Sequence, residues 1–460
     1  MLPQVKESPG GGVYSDIVVG YGGFKFRILF YKYGYTPHYA EHIIDPFDGR
    51  EKLVLAIPHT TPSRHKILIL DLEEKRIEWE ASVPGGSVPN PHVAHVISEV
   101  NPITGSWVDV ASSLGLEMGD IVAPSGDNSW VVIDRKTKVV KRRIEPSYGA
   151  KWVHDIIPSV NGDGFIVSDY GVGFYKLRFD GSTIWGPILG SGAAKISFIE
   201  PAVPNWHSPS FGGRYLLVRN RDIEGVYEVD DSGNVVWQCA SSPGHVNVFW
   251  PFTPHSAFRI GVAELGGQLT VVGFEAGGGI VALDKDCRPR WGVMKGFSTI
   301  PSTAYRPTSF GLLETTHVFP TLRGTIGFID WSGKYGSIVG EILEIPYHQT
   351  LWFTLAQDHD PGDTWFHYSP PIDAGEWREA RIIIATNPGG PIEYEIYGTN
   401  IPYIANDSTH TQWRLLSRGI VNPENYIEVD VSNHLFIKIA GRRATAGVPA
   451  SWKVIVLLRR

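Results

Sequence analysis

Asn205-Trp206-His207-Ser208-Pro209-Ser210 opens a segment that continues as Arg214-Tyr215-Leu216-Leu217-Val218-Arg219, Val226-Tyr227-Glu228-Val229, Asp230-Asp231-Ser232-Gly233 and Asn234-Val235-Val236-Trp237. Gly212-Gly213 reads as a turn, and 214–219 as a strand. Residues 226–229 alternate apolar and polar, as a half-buried strand does. Asp230 to Gly233 is a tight hairpin turn, and 234–237 starts a further strand. Four strands in about fifty residues is the size of one propeller blade.

The same plan recurs along the chain. Strand-like segments open with His42, His95, His154, His207, His255 and Arg306, at steps of 53, 59, 53, 48 and 51 residues. Trp79, Trp185, Trp237 and Trp291 keep the same beat, with gaps of 106, 52 and 54. Asp180-Gly181-Ser182-Thr183-Ile184-Trp185 repeats the turn and the Trp. Ile133-Asp134 and Ile329-Asp330 keep the turn without the terminal Trp. These Trp residues are expected to pack between blades. The second repeat is longer, and Leu114 to Gly119 reads as a loop insertion.

A fixed period of this length marks a repeat architecture. The expected fold is all-β: a six-bladed β-propeller over 37–344, followed by a β-sandwich or jelly roll over 346–460. Strands at 16–19 and 24–31, within residues 1–36, are expected to close the ring, because an open edge invites aggregation. Seven blades is the alternative, if those strands and their neighbours form a blade of their own. In 346–460, segments 381–385, 392–397, 426–431, 435–439 and 452–458 read as strands.

Composition agrees and excludes. Gly 51 and Pro 33 with 19% charged residues fit a turn-rich β protein. A net charge of −7 gives no electrostatic support to nucleic-acid binding. No apolar run approaches the roughly 20 residues of a membrane span. Met1 to Gly12 lacks a signal-peptide layout, so the chain is expected to be virion-borne, cell-surface after processing, or cytoplasmic. Three Met and two Cys fit a hot habitat and a thermostable protein. Cys239 and Cys287 are expected as buried free thiols ahead of a disulfide between adjacent units.

The blade pattern of His, strand, Gly-Gly, strand, Val-Tyr-Glu-Val-Asp, turn with Gly, Val-Val-Trp resembles arylsulfate-sulfotransferase-type and quinoprotein-type propellers. His154-Asp155 to Trp185 and His207 to Trp237 carry the resemblance most closely. The sulfotransferase resemblance implies a channel His that accepts sulfate, with His and Arg holding the anion. Propeller lyases of the pectate type use channel His for a metal. The C-terminal segment is similar in texture to phage tail modules and to carbohydrate-binding modules.

The channel candidates are therefore His42, His95, His154, His207, His255 and Arg306, converging on one mouth. Three readings stay open. The side chains hydrogen-bond neighbouring blades, or hold an anion or a metal, or perform acid–base or nucleophilic chemistry. Arg306 tilts the ligand reading toward an anion. Trp365, Tyr368, Trp377 and Trp413 are the candidate glycan-stacking residues. Asp45-Pro46-Phe47-Asp48-Gly49 and Asn161-Gly162-Asp163-Gly164 read as hairpin turns rather than calcium loops. No catalytic motif such as Gly-x-Ser-x-Gly or His-Glu-x-x-His occurs, and no cofactor is expected. The favoured function is a non-enzymatic adhesive or structural protein that binds glycan or protein subunits, as a homo-oligomer or part of a larger assembly. The alternatives are an enzyme with the His ring as active site, sulfotransferase-like or lyase-like, and an intracellular scaffold.

Overall fold

The computed structural model describes residues 17–459 except 22–23, 33–34, 59–64, 87, 100, 200–213, 222–223, 241–252, 263–266, 277–278, 284–286, 288, 295–313, 332–336, 345–347, 360–366, 369–371, 374–378, 388–391, 400–412, 422–425, 432–433, 435 and 444–449. The chain is all-β apart from one helix among the described residues, Val108–Leu114.

Residues 17–344 form repeated antiparallel sheets. The first comprises Tyr39–Ile44, Glu51–Ile57, Lys66–Asp71 and Arg76–Ser82, in chain order. The second starts at His95–Val96, the third at Val153–Pro158, the fourth at Ala193–Ile199 and the fifth at Thr253–Val262; each has four strands in chain order. The sixth runs from Thr315–Pro320 through Ile326–Trp331 to Ser337–Glu344. There Phe24–Tyr31 pairs antiparallel with Ser337–Glu344, and Ile17–Tyr21 lies outside it. The first and last parts of this array thus share one sheet.

Burial follows the strand order. Val153–Pro158 and Arg214–Arg219 are buried throughout, whereas Arg76–Ser82 and Thr183–Ile188 are partly exposed. The sequences say why: Lys-Ile-Leu-Ile-Leu-Asp suits a strand covered on both faces, and Arg-Ile-Glu-Trp-Glu-Ala-Ser an outer one. The apolar core is divided into clusters shared by neighbouring sheets. Phe165 and Tyr175 pack with Trp107 and Val132; Leu216 and Val218 pack with Val272 and Val281; Phe258 and Val271 pack with Val318, Phe328 and Phe26.

Every junction is also hydrogen-bonded. Glu41 accepts from Val96 N, and Asn90 donates to Val153 O. Asp155 accepts from Ile196 N, Ser197 donates to Ala257 O, and Ser256 accepts from Val318 N. His317 donates to Ala40 O, returning to the first sheet. Sheets radiating from a ring of adjoining first strands are the plan of a β-propeller.

The Trp beat has a physical reading in this ring. Trp185, on the outer strand of the third sheet, donates its indole N–H to Asp231 O in a turn of the fourth, 3.0 Å away. Gly233 closes that turn at φ +88, and a Cβ there would meet the Trp185 ring. The Asp-x-x-Gly turn therefore serves the neighbouring sheet as well as its own. Cys239 of the fourth sheet bonds Cys287, in the corresponding turn of the fifth, with Cα atoms 5.7 Å apart. The expected free thiols are thus replaced by a link between sheets.

One expectation is corrected. The first strand of the fourth sheet is Ala193–Ile199, not the segment at His207. Ala-Ala-Lys-Ile-Ser-Phe-Ile is buried except at the partly exposed Phe198, and it precedes Arg214–Arg219 in the sheet. The loop at Leu114 to Gly119 follows a helix, Val108–Leu114, that Gly115 closes at φ 63.

Residues from 348 onward form two further sheets. One orders His348–His359, Ala450–Arg459, Glu379–Asn387 and Tyr426–Asp430; the other orders His367–Tyr368, Phe436–Arg443, Ile392–Thr399 and Arg414–Val421. Ile382, Val429 and Val456 from the first share an apolar cluster with Ile392, Ile396, Ile437 and Ile439 from the second.

Candidate axial histidine centre

Strand irregularities at the ring's centre aim side chains inward. The register of the first strand shifts between Val153 and Asp155, between Ala193 and Ile196, between Thr253 and Ser256, and between Thr315 and His317. His154, Lys195, His255 and Thr316 stand at these shifts. A bulge re-aims a side chain that a regular strand would lay against the sheet face.

Four imidazoles meet there: His38, His92, His154 and His255. Ring centroids are 4.7 Å apart for His38–His92, 4.8 Å for His38–His255, 4.3 Å for His92–His154 and 5.6 Å for His154–His255. All four residues are at most 4% exposed, so water does little to solvate them. His38, His92 and His154 each offer a ring nitrogen, with none of the three more than 4.8 Å from another. His38, His255 and Glu275 form a second such group.

The surroundings orient these rings. Asn90 donates its amide to Ser125 O at 2.9 Å and Val153 O at 3.0 Å, which turns its Oδ1 toward His92 Nδ1, 3.0 Å away. His92 therefore carries its proton on Nδ1 and leaves Nε2 as a lone pair. The segment bearing Asn90 and His92 is held by Gly126 N donating to Pro84 O and Val88 N donating to Gly126 O. Gly86 and Gly126 cross there so closely that a Cβ on either would strike the other's backbone. His255 donates Nδ1–H to Thr316 O at 2.6 Å, and its Nε2 faces Glu275 at 3.7 Å. His154 bonds the Ala194 backbone, while its Nδ1 is buried without a hydrogen-bond partner.

Burial pushes His154 well below the usual imidazole range, and the nearby Lys195, His255 and His38 charges add to this. Burial also lowers His255, against the pull of Glu275. Lys195 donates to His92 O at 2.6 Å and is lowered by burial to about 7. Uncharged imidazoles are good metal ligands and poor anion hosts. The tilt toward an anion rested on Arg306, which lies outside the described residues, as does His207.

His42 and His95 lie in other networks. His42 Nδ1 accepts from Leu322 N at 3.3 Å, and its Nε2 is 3.3 Å from Glu51, between the first and sixth sheets. His95 bridges Glu41 at 3.0 Å and Asp155 at 3.2 Å. Both side chains join neighbouring sheets. His38 and His92 have the same spacing as His42 and His95 within one residue, so the period alone could not choose between the pairs.

Other candidates resolve differently. Asp45 receives Arg135, and Asp48 and Glu78 share Lys52, so each carboxylate of this acidic group already has a cationic partner. Asp163 pairs with Ser159 and Lys176. Trp365 and Trp377 lie outside the described residues, as does the Tyr368 side chain. Trp413 is half-buried, with Lys438 Nζ 4.2 Å from its ring centroid.

No protein-family model and no curated protein sequence matches the chain. Among solved structures it is similar to a protein of unknown function from Bacteroides caccae, at 15% identity and TM-score 0.35, covering 61% of this chain and 83% of that one. It is similar to BBS1N, solved in complex with ARL6DN, at 12% identity and TM-score 0.38, covering 73% and 97%. It is also similar to the WD40 β-propeller domain of Doa1, at 11% identity and TM-score 0.38, covering 73% and 95%. At such scores the likenesses add nothing to the fold argued from the sheets.

Proposed function

We propose that the chain is a six-bladed β-propeller followed by a C-terminal β-sandwich, and that its working centre is the axial histidine cluster, a small-ligand centre of the enzyme type. The observation that carries this reading is the convergence of His154 and His255, on the first strands of two sheets, with His38 and His92, on the segments leading into two others. Burying four polar rings costs stability unless their nitrogens are satisfied. The single sheet shared by 17–31 and 315–344 supports six blades over seven, and the common core of the last two sheets supports a sandwich. The Cys239–Cys287 link favours an oxidising compartment, such as a cell surface or virion, over the cytoplasm.

The test is a thermal-shift panel of divalent metals, sulfate, phosphate and small carboxylates, run beside a glycan array. A response at the axis lost in His154→Ala supports the reading. Glycan binding lost in Trp413→Ala, with no axial response, supports display and adhesion instead.

A further inference from the structure

We propose that His38, His92 and His154 ligate one divalent first-row transition-metal ion, with His255 and Glu275 completing its surroundings. This rests on the axial cluster being the working centre, and it names the ligand of that centre.

The donor set selects the metal class. Imidazole nitrogens dominate, and Glu275 is the one carboxylate grouped with them among the described residues. Calcium and magnesium prefer shells of oxygen, whereas imidazole suits zinc, iron, copper and nickel. The nitrogens of His38, His92 and His154 lie within 4.8 Å of one another. A tetrahedral zinc site with bonds near 2.1 Å places donors about 3.4 Å apart, so binding would draw these nitrogens together.

The second shell has the form that metal-binding histidines require. A ligating imidazole normally donates its other N–H to a carbonyl or carboxylate, which fixes the tautomer. His92 donates to Asn90 Oδ1, and His255 to Thr316 O. His154 bonds the Ala194 backbone and leaves Nδ1, fully buried, with no partner. Glu275 is the accessible member, its side chain 37% exposed, and it marks the side from which an ion or its further ligand enters.

The experiment uses the full-length chain without an affinity tag. After chelation and dialysis it is titrated with Co(II), whose visible absorption reports coordination, and then challenged with Zn(II). The expected result is saturable binding of one ion per chain, displaced by zinc. His92→Gln and His154→Gln should abolish it, and Asn90→Ala should weaken it about 10–100-fold through loss of ring orientation. Trp413→Ala should bind as the parent does. If the histidine variants fail to fold, Glu275→Gln carries the test, because it should alter the Co(II) spectrum. Absence of saturable binding by the parent overturns the proposal, as does binding unchanged in both Asn90→Ala and Glu275→Gln. Sulfate, run in parallel, separates the two failures. A sulfate-dependent rise in Tm that is lost in His154→Gln, without Co(II) binding, overturns the metal and leaves the axial centre. Response to neither probe overturns both.

Discussion

The indole Nε1 of Trp79 donates a 2.8 Å hydrogen bond to the carbonyl of Arg135, from the outer strand of one sheet to a turn of the next. Trp79 is 7% exposed, so the ring also fills space between the sheets. Trp79→Phe keeps most of the packing and should cost about 1–2 kcal/mol for the lost bond. Trp79→Ala should cost about 3–5 kcal/mol. Chemical denaturation of the two variants checks the ratio; equal costs would show that the bond, not the ring, holds the junction.

Glu228 is buried between Arg214 and Arg259, on strands of neighbouring sheets. Glu228→Gln removes the carboxylate that the two buried guanidinium groups share. The expected destabilisation is about 3–5 kcal/mol. Replacing Glu228 and Arg259 together with apolar residues should recover part of it, and equilibrium unfolding of single and double variants measures the recovery.

His95 gives a pH dependence. Burial alone would lower its pKa, but hydrogen bonds to Asp155 and Glu41 and their charges override it and raise it to about 9. A raised folded-state pKa stabilises fully below the unfolded value near 6.5. That contribution, on the order of 3 kcal/mol, is lost as pH rises from about 6.5 through 9. Stability measured between pH 6 and 10 should fall over that window, and His95→Gln should flatten the fall while lowering stability at pH 6.

The Cys239–Cys287 link spans 48 residues and ties two sheets together. Removing it with Cys239→Ser and Cys287→Ser should cost about 2–4 kcal/mol. Mass spectrometry of the alkylated, unreduced chain should find neither thiol modified.

Much of this fold is legible in local sequence. The turn from Asp230 to Gly233 and the strand Val235–Ala240 that follows it are recognisable because hairpin turns and alternation are short-range signals. The part of the centre formed by His154 and His255 is legible for a related reason: each stands on a first strand that the period locates. His38 and His92 are not, because they precede their strands by one and three residues, and a period cannot set its own phase. Lys195 is invisible for a different reason. Its strand, Ala193–Ile199, carries no histidine, so the histidine period places the start of the unit at His207. Strand register shifts decide which residue faces the axis, and no sequence interval records them.

Anomalous diffraction from crystals of the untagged chain, grown with zinc, cobalt or iron available, would locate an ion at the axial histidines. One anomalous peak is expected about 2.0–2.1 Å from ring nitrogens of His38, His92 and His154. Ordered imidazoles hydrogen-bonded to one another, with no anomalous peak among them, would contradict it.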